Sequence, residues 1–297
     1  MGFDLLEPRT VAEAVELHAR DGNAVFLAGG TALLILQRQG LPLPRRLISL
    51  RGIPGLDEIT AGPGGGLRIG ALATLRQVER HPLVVRRVPL LAEALRQVAN
   101  VRVRHTATLG GNLAHGDYRL DPPAPLLVLG AQVRAVGIGG EREIALAAFF
   151  RGLFETALQP GEVVTELAIP PTPPSGGTYL KYALSSNDWP CVGAAALVAL
   201  DDHGRCREVR LALTAVAAAP VLVRGLDELA RGEPVSDRLA ARLADIAAAQ
   251  VEPVGDQRGS EWYKREMARV FARRALLAAA RRAEAGPVGD GTKEPVA

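Results

Sequence analysis

The run Asn23-Ala24-Val25-Phe26-Leu27-Ala28 ends on Gly29-Gly30 and passes at once into Thr31-Ala32-Leu33-Leu34-Ile35-Leu36. That junction constrains the fold more than any other feature of the chain. A short apolar run bounded by glycines reads as a buried strand, and the residues after it carry a helical pattern that Gly40 stops. The run "RRLISL", ending at Leu50, reads as a second strand. Strand, glycine turn, helix and strand make a βαβ unit, whose two strands run parallel. Upstream, Thr10-Val11-Ala12-Glu13 has capping-box spacing and predicts a helix ending near Gly22.

From about Leu56 the pattern changes. Short apolar runs flank glycine-rich turns, and "LDEITAGPGGGLRIGALAT" reads as a hairpin. Helical stretches are expected around Leu75–Arg80 and Pro89–Ala99. A polar loop, "TATLGGNLAHGD", follows from Thr106 to Asp117. After it "DPPAPLLVLGA" predicts a short helix with prolines in its first turn, and "QVRAVG" and "EVVTELAIP" predict strands. The segment "PPTPPSGG", Pro170 to Gly177, reads as a linker. Beyond it lie three expected strands, "TYLKYAL", "CVGAAALVAL" and "REVRLALTAV"; Val209, Leu211 and Leu213 alternate as a strand buried on one face requires. Two helices close the chain, with Leu239, Leu243 and Ile246 on one face of the first and Tyr263, Met267, Val270 and Leu277 on one face of the second. The divisions expected are 1–54, 55–175, 176–285 and a Gly- and Pro-rich disordered tail, 286–297.

Two glycine turns can carry chemistry. At the strand-to-helix turn Leu27–Leu34, backbone N–H groups at a helix N-terminus offer a seat for an anion, and Thr31 adds a hydroxyl. A merely tight turn explains the same glycines. The turn is neither a Walker loop nor a full G-x-G-x-x-G fingerprint. In the polar loop, Gly110 and Gly111 permit close backbone approach, and Thr108 and Asn112 can donate to phosphate oxygens. Asp121 is either an acceptor for ribose hydroxyls or a helix N-cap. Two such loops together suit a diphosphate, which needs donors on more than one side, clamped between two subdomains.

Other chemistries fit less well. His115 has no serine or cysteine nucleophile context beside it, and neither G-x-S-x-G nor H-E-x-x-H occurs. The five histidines, at positions 18, 81, 105, 115 and 203, lack metal-ligand spacing. Lys181, alone in a strand, reads locally as a solvated edge lysine. Aromatic residues make up 4% of the chain, which argues against base-stacking recognition of nucleic acid. No apolar run is long enough to cross a bilayer, no secretory leader opens the chain, and two widely separated cysteines suit a reducing cytoplasm.

"FLAGGTALL", "TLGGNLAHGD" with Asp121, and "GEVVTELAIP", in that order and at this spacing, resemble the FAD-binding subunits of molybdenum hydroxylases. The likeness is to medium subunits of the carbon monoxide dehydrogenase and aerobic aromatic-hydroxylase type, with a related domain in xanthine dehydrogenase. It extends from "FDLLEPRTVAEAVEL" to "RGSEWYKREMARVFARRAL".

The resemblance implies an α+β protein. Its FAD-binding fold is of the vanillyl-alcohol-oxidase-like type, two α+β subdomains followed by a C-terminal domain with a small antiparallel sheet and helices. It implies non-covalent FAD whose diphosphate is wrapped by Ala28, Gly29, Gly30, Thr31, Ala32 and Leu33 and by Thr108, Gly110, Gly111 and Asn112. His115 becomes a neighbour of the flavin and Asp121 a partner of ribityl or ribose hydroxyls. Val164 becomes an apolar strand residue near the cofactor, and Lys181 a lysine approaching the flavin. The chain departs from the family pattern at Ser185 and Ser186, where members often carry a basic pair, and at Tyr118, where proline is common.

The activity implied is that of an oxidoreductase subunit without catalytic residues of its own. Iron–sulfur clusters on a small partner and molybdopterin on a large one belong to the same assembly, a dimer of heterotrimers. Electrons leave to a quinone, NAD or oxygen. The alternative is a stand-alone FAD-dependent oxidoreductase with its own small substrate, for which the sequence offers no evident base. The C-terminal arginines Arg269, Arg273, Arg274, Arg281 and Arg282 read either as a solvated helix face or as a surface for an acidic partner.

Overall fold

A computed structural model describes residues 3–40 and 44–286. The tail expected over 286–297 lies, apart from Gly286, outside the described residues. Chain order begins with β1 (Asp4–Leu6), α1 (Val11–Arg20), β2 (Val25–Leu27), α2 (Thr31–Arg38) and β3 (Arg46–Ser49). These strands form a parallel sheet in the order β1-β3-β2, so the βαβ unit is present as read. Thr10 caps α1 by accepting the Glu13 N–H at 3.1 Å. The reciprocal half of the capping box slips by one residue: the Glu13 carboxylate takes the N–H of Arg9 at 2.7 Å.

The second group comprises β4 (Ile59–Ala61), β5 (Leu67–Gly70), α3 (Leu75–Arg80), α4 (Pro82–Arg87), α5 (Pro89–Arg96), α6 (Val101–Thr106), α7 (Leu109–His115) and α8 (Pro123–Val128). It continues with β6 (Gln132–Gly137), β7 (Gly140–Ala145), the small pair β8 (Phe150–Gly152) and β9 (Glu155–Thr156), and β10 (Val163–Ile169). The order β4-β5-β10-β6-β7 is antiparallel throughout. The hairpin, α3, α5, α8 and both expected strands are present, whereas α4, α6, α7 and β7 to β9 were not anticipated.

The largest departure is α7. The segment read as a polar loop is helical from Leu109 to His115, capped by the Thr108 hydroxyl on the Gly111 N–H at 3.1 Å and ended by Gly116 at φ +67°. Leu109 and Leu113, one turn apart, are fully buried. Burial of each contributes about 1.5–3 kcal/mol, which holds a helix whose sequence is otherwise glycine-rich and poor in propensity.

The last group is β11 (Gly176–Tyr182), β12 (Val192–Leu200), β13 (Cys206–Thr214), β14 (Val221–Leu222), α9 (Leu226–Ala230), α10 (Asp237–Ala249) and α11 (Glu261–Glu284). Its sheet runs antiparallel in chain order. The alternation of Val209, Leu211 and Leu213 faces a core shared with α10 and α11, but the opposite face is covered as well. Ala195, Leu197 and Ala212 belong to the core of the second group, where α5 and α8 pack on the sheet. On α11 the buried stripe is Ala268, Ala272, Ala275, Leu276 and Ala279, with Met267, Tyr263 and Leu277 packed at its margin. Small residues let helix and sheet approach closely, so the stripe is carried by alanine and escapes a search for large apolar side chains.

Three of the five C-terminal arginines pair with carboxylates of this chain. Arg269 pairs with Asp245 at 2.8 Å, Arg282 with Glu93 at 2.5 Å, and Arg273 with Asp237. Exposed pairs of this kind contribute about 0–1 kcal/mol each.

Candidate functional site: one cavity between two glycine turns

The turn from β2 to α2 and the start of α7 meet at Gly29 and Gly111. A Cβ on Gly29 would run into the carbonyl oxygen of Thr106, and one on Gly111 would stand 2.8 Å from Thr108 Oγ1 and 3.1 Å from Ala28 Cβ. At Gly29 only glycine allows the two segments this approach, and at Gly111 a side chain would crowd Ala28. Gly110 serves packing instead. Its N–H donates to Ala71 O at 2.9 Å, and a Cβ there would lie 2.5 Å from Ala71 Cβ.

Between the two segments lies a cavity of about 590 Å³. Its wall includes Ala28, Gly29, Gly30, Thr31, Ala32 and Leu33 from the first turn. The second contributes Thr108, Gly110, Gly111, Asn112 and His115, and Asp121 and Val164 also line it. Lys181 is the one predicted residue absent from that wall. It lines a second cavity of about 510 Å³ that shares Ala99, Asn100 and Asn187 with the first.

The two turns offer different donors. Within α7 the first four N–H groups are spent inside the protein: Leu109 on Ala73 O, Gly110 on Ala71 O, Gly111 on Thr108 Oγ1 and Asn112 on Thr108 O. What remains there is the Thr108 hydroxyl proton and the Asn112 side chain, whose buried Oδ1 has no partner among the described residues. On α2 the first intrahelical bond is Leu34 N–H to Gly30 O, and among the described residues the N–H groups of Thr31, Ala32 and Leu33 take no acceptor. Three adjacent unpaired donors at a helix N-terminus, preceded by Gly30 at φ +71°, form an anion seat.

Asp121 does not cap α8; the N-cap position is Pro122, which makes no side-chain cap. Its carboxylate turns instead to the C-terminal sheet. Tyr179 donates to Oδ1 at 2.6 Å and Lys181 donates to Oδ2 at 3.1 Å, while Lys181 also bonds Gln97 O at 2.9 Å. Burial pushes the Asp121 carboxyl up to about 6, with Lys181 and then Tyr179 opposing it. The solvated reading of Lys181 fails here, because the strand is a sheet edge whose side chain is covered by Gln97 and Asp121. Tyr179 was missed altogether. Its position two residues before Lys181 places both on one face of β11, the signal that period-two reasoning offers.

His115 is held below the usual histidine range by burial, against the pull of Asp117, and its ring lies 5.4 Å from that of Phe154. Glu162 is committed to Arg142 at 2.6 Å and held below the carboxylate range by it. Val164 is a buried residue of β10 at a register shift against β6, which turns the strand where it borders the cavity.

These features fit a dinucleotide: an anion seat opposite side-chain donors, a carboxylate for hydroxyl groups and an otherwise apolar wall. Comparison with known proteins agrees. Residues 1–172 match a family described as the FAD binding domain in molybdopterin dehydrogenase, and residues 178–279 match the CO dehydrogenase flavoprotein C-terminal domain. The chain is 33% identical to the carbon monoxide dehydrogenase medium chain of Hydrogenophaga pseudoflava, over 93% of this chain and 96% of that one. It is 27% identical to a putative xanthine dehydrogenase FAD-binding subunit of Escherichia coli, over 90% and 92% of the two chains. Among solved structures it superposes on a chain of the carbon monoxide dehydrogenase from H. pseudoflava with a TM-score of 0.92, covering 95% of this chain and 98% of the other. The chain therefore belongs to the FAD-binding medium subunits of molybdenum hydroxylases of the carbon monoxide dehydrogenase and xanthine dehydrogenase type.

Proposed function

We propose that this chain is the electron-transfer subunit of a three-component molybdenum hydroxylase, linking iron–sulfur clusters on a small partner to an external acceptor through FAD. The observation that carries the reading is the pair of glycine turns meeting at Gly29 and Gly111 around one cavity, with three unpaired N–H groups on one and the Thr108 hydroxyl on the other.

In this reading the N–H groups of Thr31, Ala32 and Leu33 hold the diphosphate, and the Thr108 hydroxyl and the Asn112 amide NH2 group donate from the opposite side. Ala28, Gly29, Gly30 and Gly111 leave room for the backbone to close on it, and Gly110 seats α7. Asp121 accepts from ribose or ribityl hydroxyls, and Lys181 and Tyr179 keep its carboxylate turned to a fixed place. His115 and Val164 border the flavin. FAD supplies the exchange between single-electron carriers and a two-electron acceptor. Substrate hydroxylation belongs to the large, molybdopterin-carrying partner, and the assembly is a dimer of heterotrimers. Medium chains and medium subunits among its relatives support such a division of labour. No helix among the described residues is long and apolar enough to cross a membrane, and Cys191 and Cys206 are free, in keeping with a place in a reducing cytoplasm.

The visible spectrum of the purified chain, with release of its cofactor on denaturation, tests the first half. Stoichiometric FAD is expected. A colourless protein that stays colourless with added FAD overturns the reading. Co-expression with the neighbouring genes tests the second half, with molybdenum and iron co-purifying. A solitary flavoprotein that turns over a small substrate alone would establish the stand-alone oxidoreductase instead.

A further inference from the structure

The C-terminal run "DQRGSEWYKREM", beginning at Asp256, lies outside the wall of the cofactor cavity, and the function proposed above makes no use of it. Its charged residues nonetheless lead back to the cavity. Asp256 and Gly259 exchange backbone hydrogen bonds of 3.0 and 3.1 Å, and Asp256 Oδ1 accepts the Arg258 N–H at 2.8 Å. Asp256 Oδ2 takes the Nζ of fully buried Lys264 at 2.9 Å and the Tyr118 hydroxyl at 3.3 Å. The turn is thus fixed both to α11 and to the segment that leaves α7.

From this turn Arg258 reaches Asp188 Oδ1 at 2.7 Å, and the same oxygen accepts the Trp189 N–H at 2.7 Å. The Arg258 side chain is 9% exposed and its Nε has no partner among the described residues, so its buried charge is spent on this one carboxylate. Asp188 and Trp189 line the cavity, and Trp189 is also 38% exposed, which places it at the rim. The Arg119 guanidinium lies 5.1 Å from the Trp189 ring and is itself held by Asp117 at 2.7 Å. The preceding residues, Leu184 to Asn187, are exposed, and Ser185 O accepts the Asp188 N–H at 3.2 Å.

We infer that Arg258 is a positioning residue for the cavity: through Asp188 it sets where Trp189 and the rim segment 184–189 stand, and so how far solvent and an acceptor reach into the cavity. A charge-assisted bond from a rigid turn is suited to this, because the planar guanidinium fixes direction as well as distance. Asp256 and Lys264 act behind it as the rigid base. The statement about the rim needs no cofactor; the statement about access to a flavin rests on the function proposed above.

The chain has two tryptophans, Trp189 and Trp262, so Trp262→Phe leaves Trp189 as the sole indole reporter. In that background Arg258→Met is expected to raise acrylamide quenching of Trp189 by at least about twofold, because the rim opens locally. Arg258→Lys should recover part of the loss. Asp188→Ala should match Arg258→Met, and the double variant should add nothing, since both remove the same bond. Asp188→Ala also carries the test if Arg258→Met does not fold. Unchanged quenching in a folded variant, or additive effects in the double variant, overturns the inference. In the FAD-loaded protein, iodide quenching of flavin fluorescence should rise in parallel. A rise at Trp189 without one at the flavin shows a rim that moves but does not shield, and overturns the claim about access.

Discussion

Lys181 Nζ stands 3.1 Å from Asp121 Oδ2, each side chain 4% exposed, joining an edge strand of the C-terminal sheet to the wall of the cavity between the two glycine turns. Taking either partner away leaves the other charge buried alone, which typically costs about 3–5 kcal/mol. Lys181→Met is therefore expected to lose up to about that much stability at pH values high enough to ionise Asp121, read as the shift in urea midpoint. The deficit should narrow in acid, because protonation of Asp121 removes the unpaired charge. A loss that does not depend on pH would show that the pair does not carry it.

The Asp121 carboxyl, raised to about 6 from an ordinary 3.8, favours the folded state in its protonated form. Its contribution to stability is complete below 3.8 and is lost as pH rises through about 6. A ribose hydroxyl donated to Asp121, as proposed above, would favour the ionised form, so FAD binding is expected to release a proton and to tighten with rising pH, by as much as about tenfold per unit below 6. Flavin titrations on either side of pH 6 measure this, and Asp121→Asn should flatten the profile.

Gly111→Val tests the meeting of the two turns. The added side chain must displace either the Thr108 hydroxyl or Ala28. Flavin content should fall at least about tenfold, equivalent to about 1.4 kcal/mol of binding, while far-UV circular dichroism stays close to that of the parent. Normal flavin content in this variant would sink the assignment of the clamp.

Thr108→Ala removes the cap of α7 and should cost about 1 kcal/mol. Differential scanning calorimetry should show a Tm lower by about 2–4 °C, with weaker FAD retention, because the hydroxyl proton is lost along with the cap. Thr108→Ser should restore both.

His115 should titrate below the ordinary 6.5 and be neutral at pH 7, since burial outweighs the neighbouring Asp117. Asp117→Asn removes the opposing charge and should lower the midpoint further. Histidine ring resonances followed by NMR across the acid range read both, and a midpoint above 6.5 would contradict the burial argument.

Much of this protein was legible in its local sequence. The βαβ unit follows from glycines at a strand end, and the hairpin of β4 and β5 from its turn residues, because short-range backbone sterics decide both. Thr31 to Leu33 could be named as an anion seat on the same grounds. Other features required the folded chain. The stretch around Gly110 and Gly111 looks like a loop until Leu109 and Leu113 find a core, and tertiary burial then outweighs helix propensity. Asp121 has the local setting of an N-cap, but Tyr179 and Lys181, 58 and 60 residues away, claim its carboxylate. Arg258 and Asp188 are 70 residues apart and nothing near either one announces the other. Backbone choices made within a few residues are written into local sequence; the partners of buried charges are decided by which distant elements the fold brings within 3 Å, since an ion stripped of water must find its counter-charge wherever the packing places it.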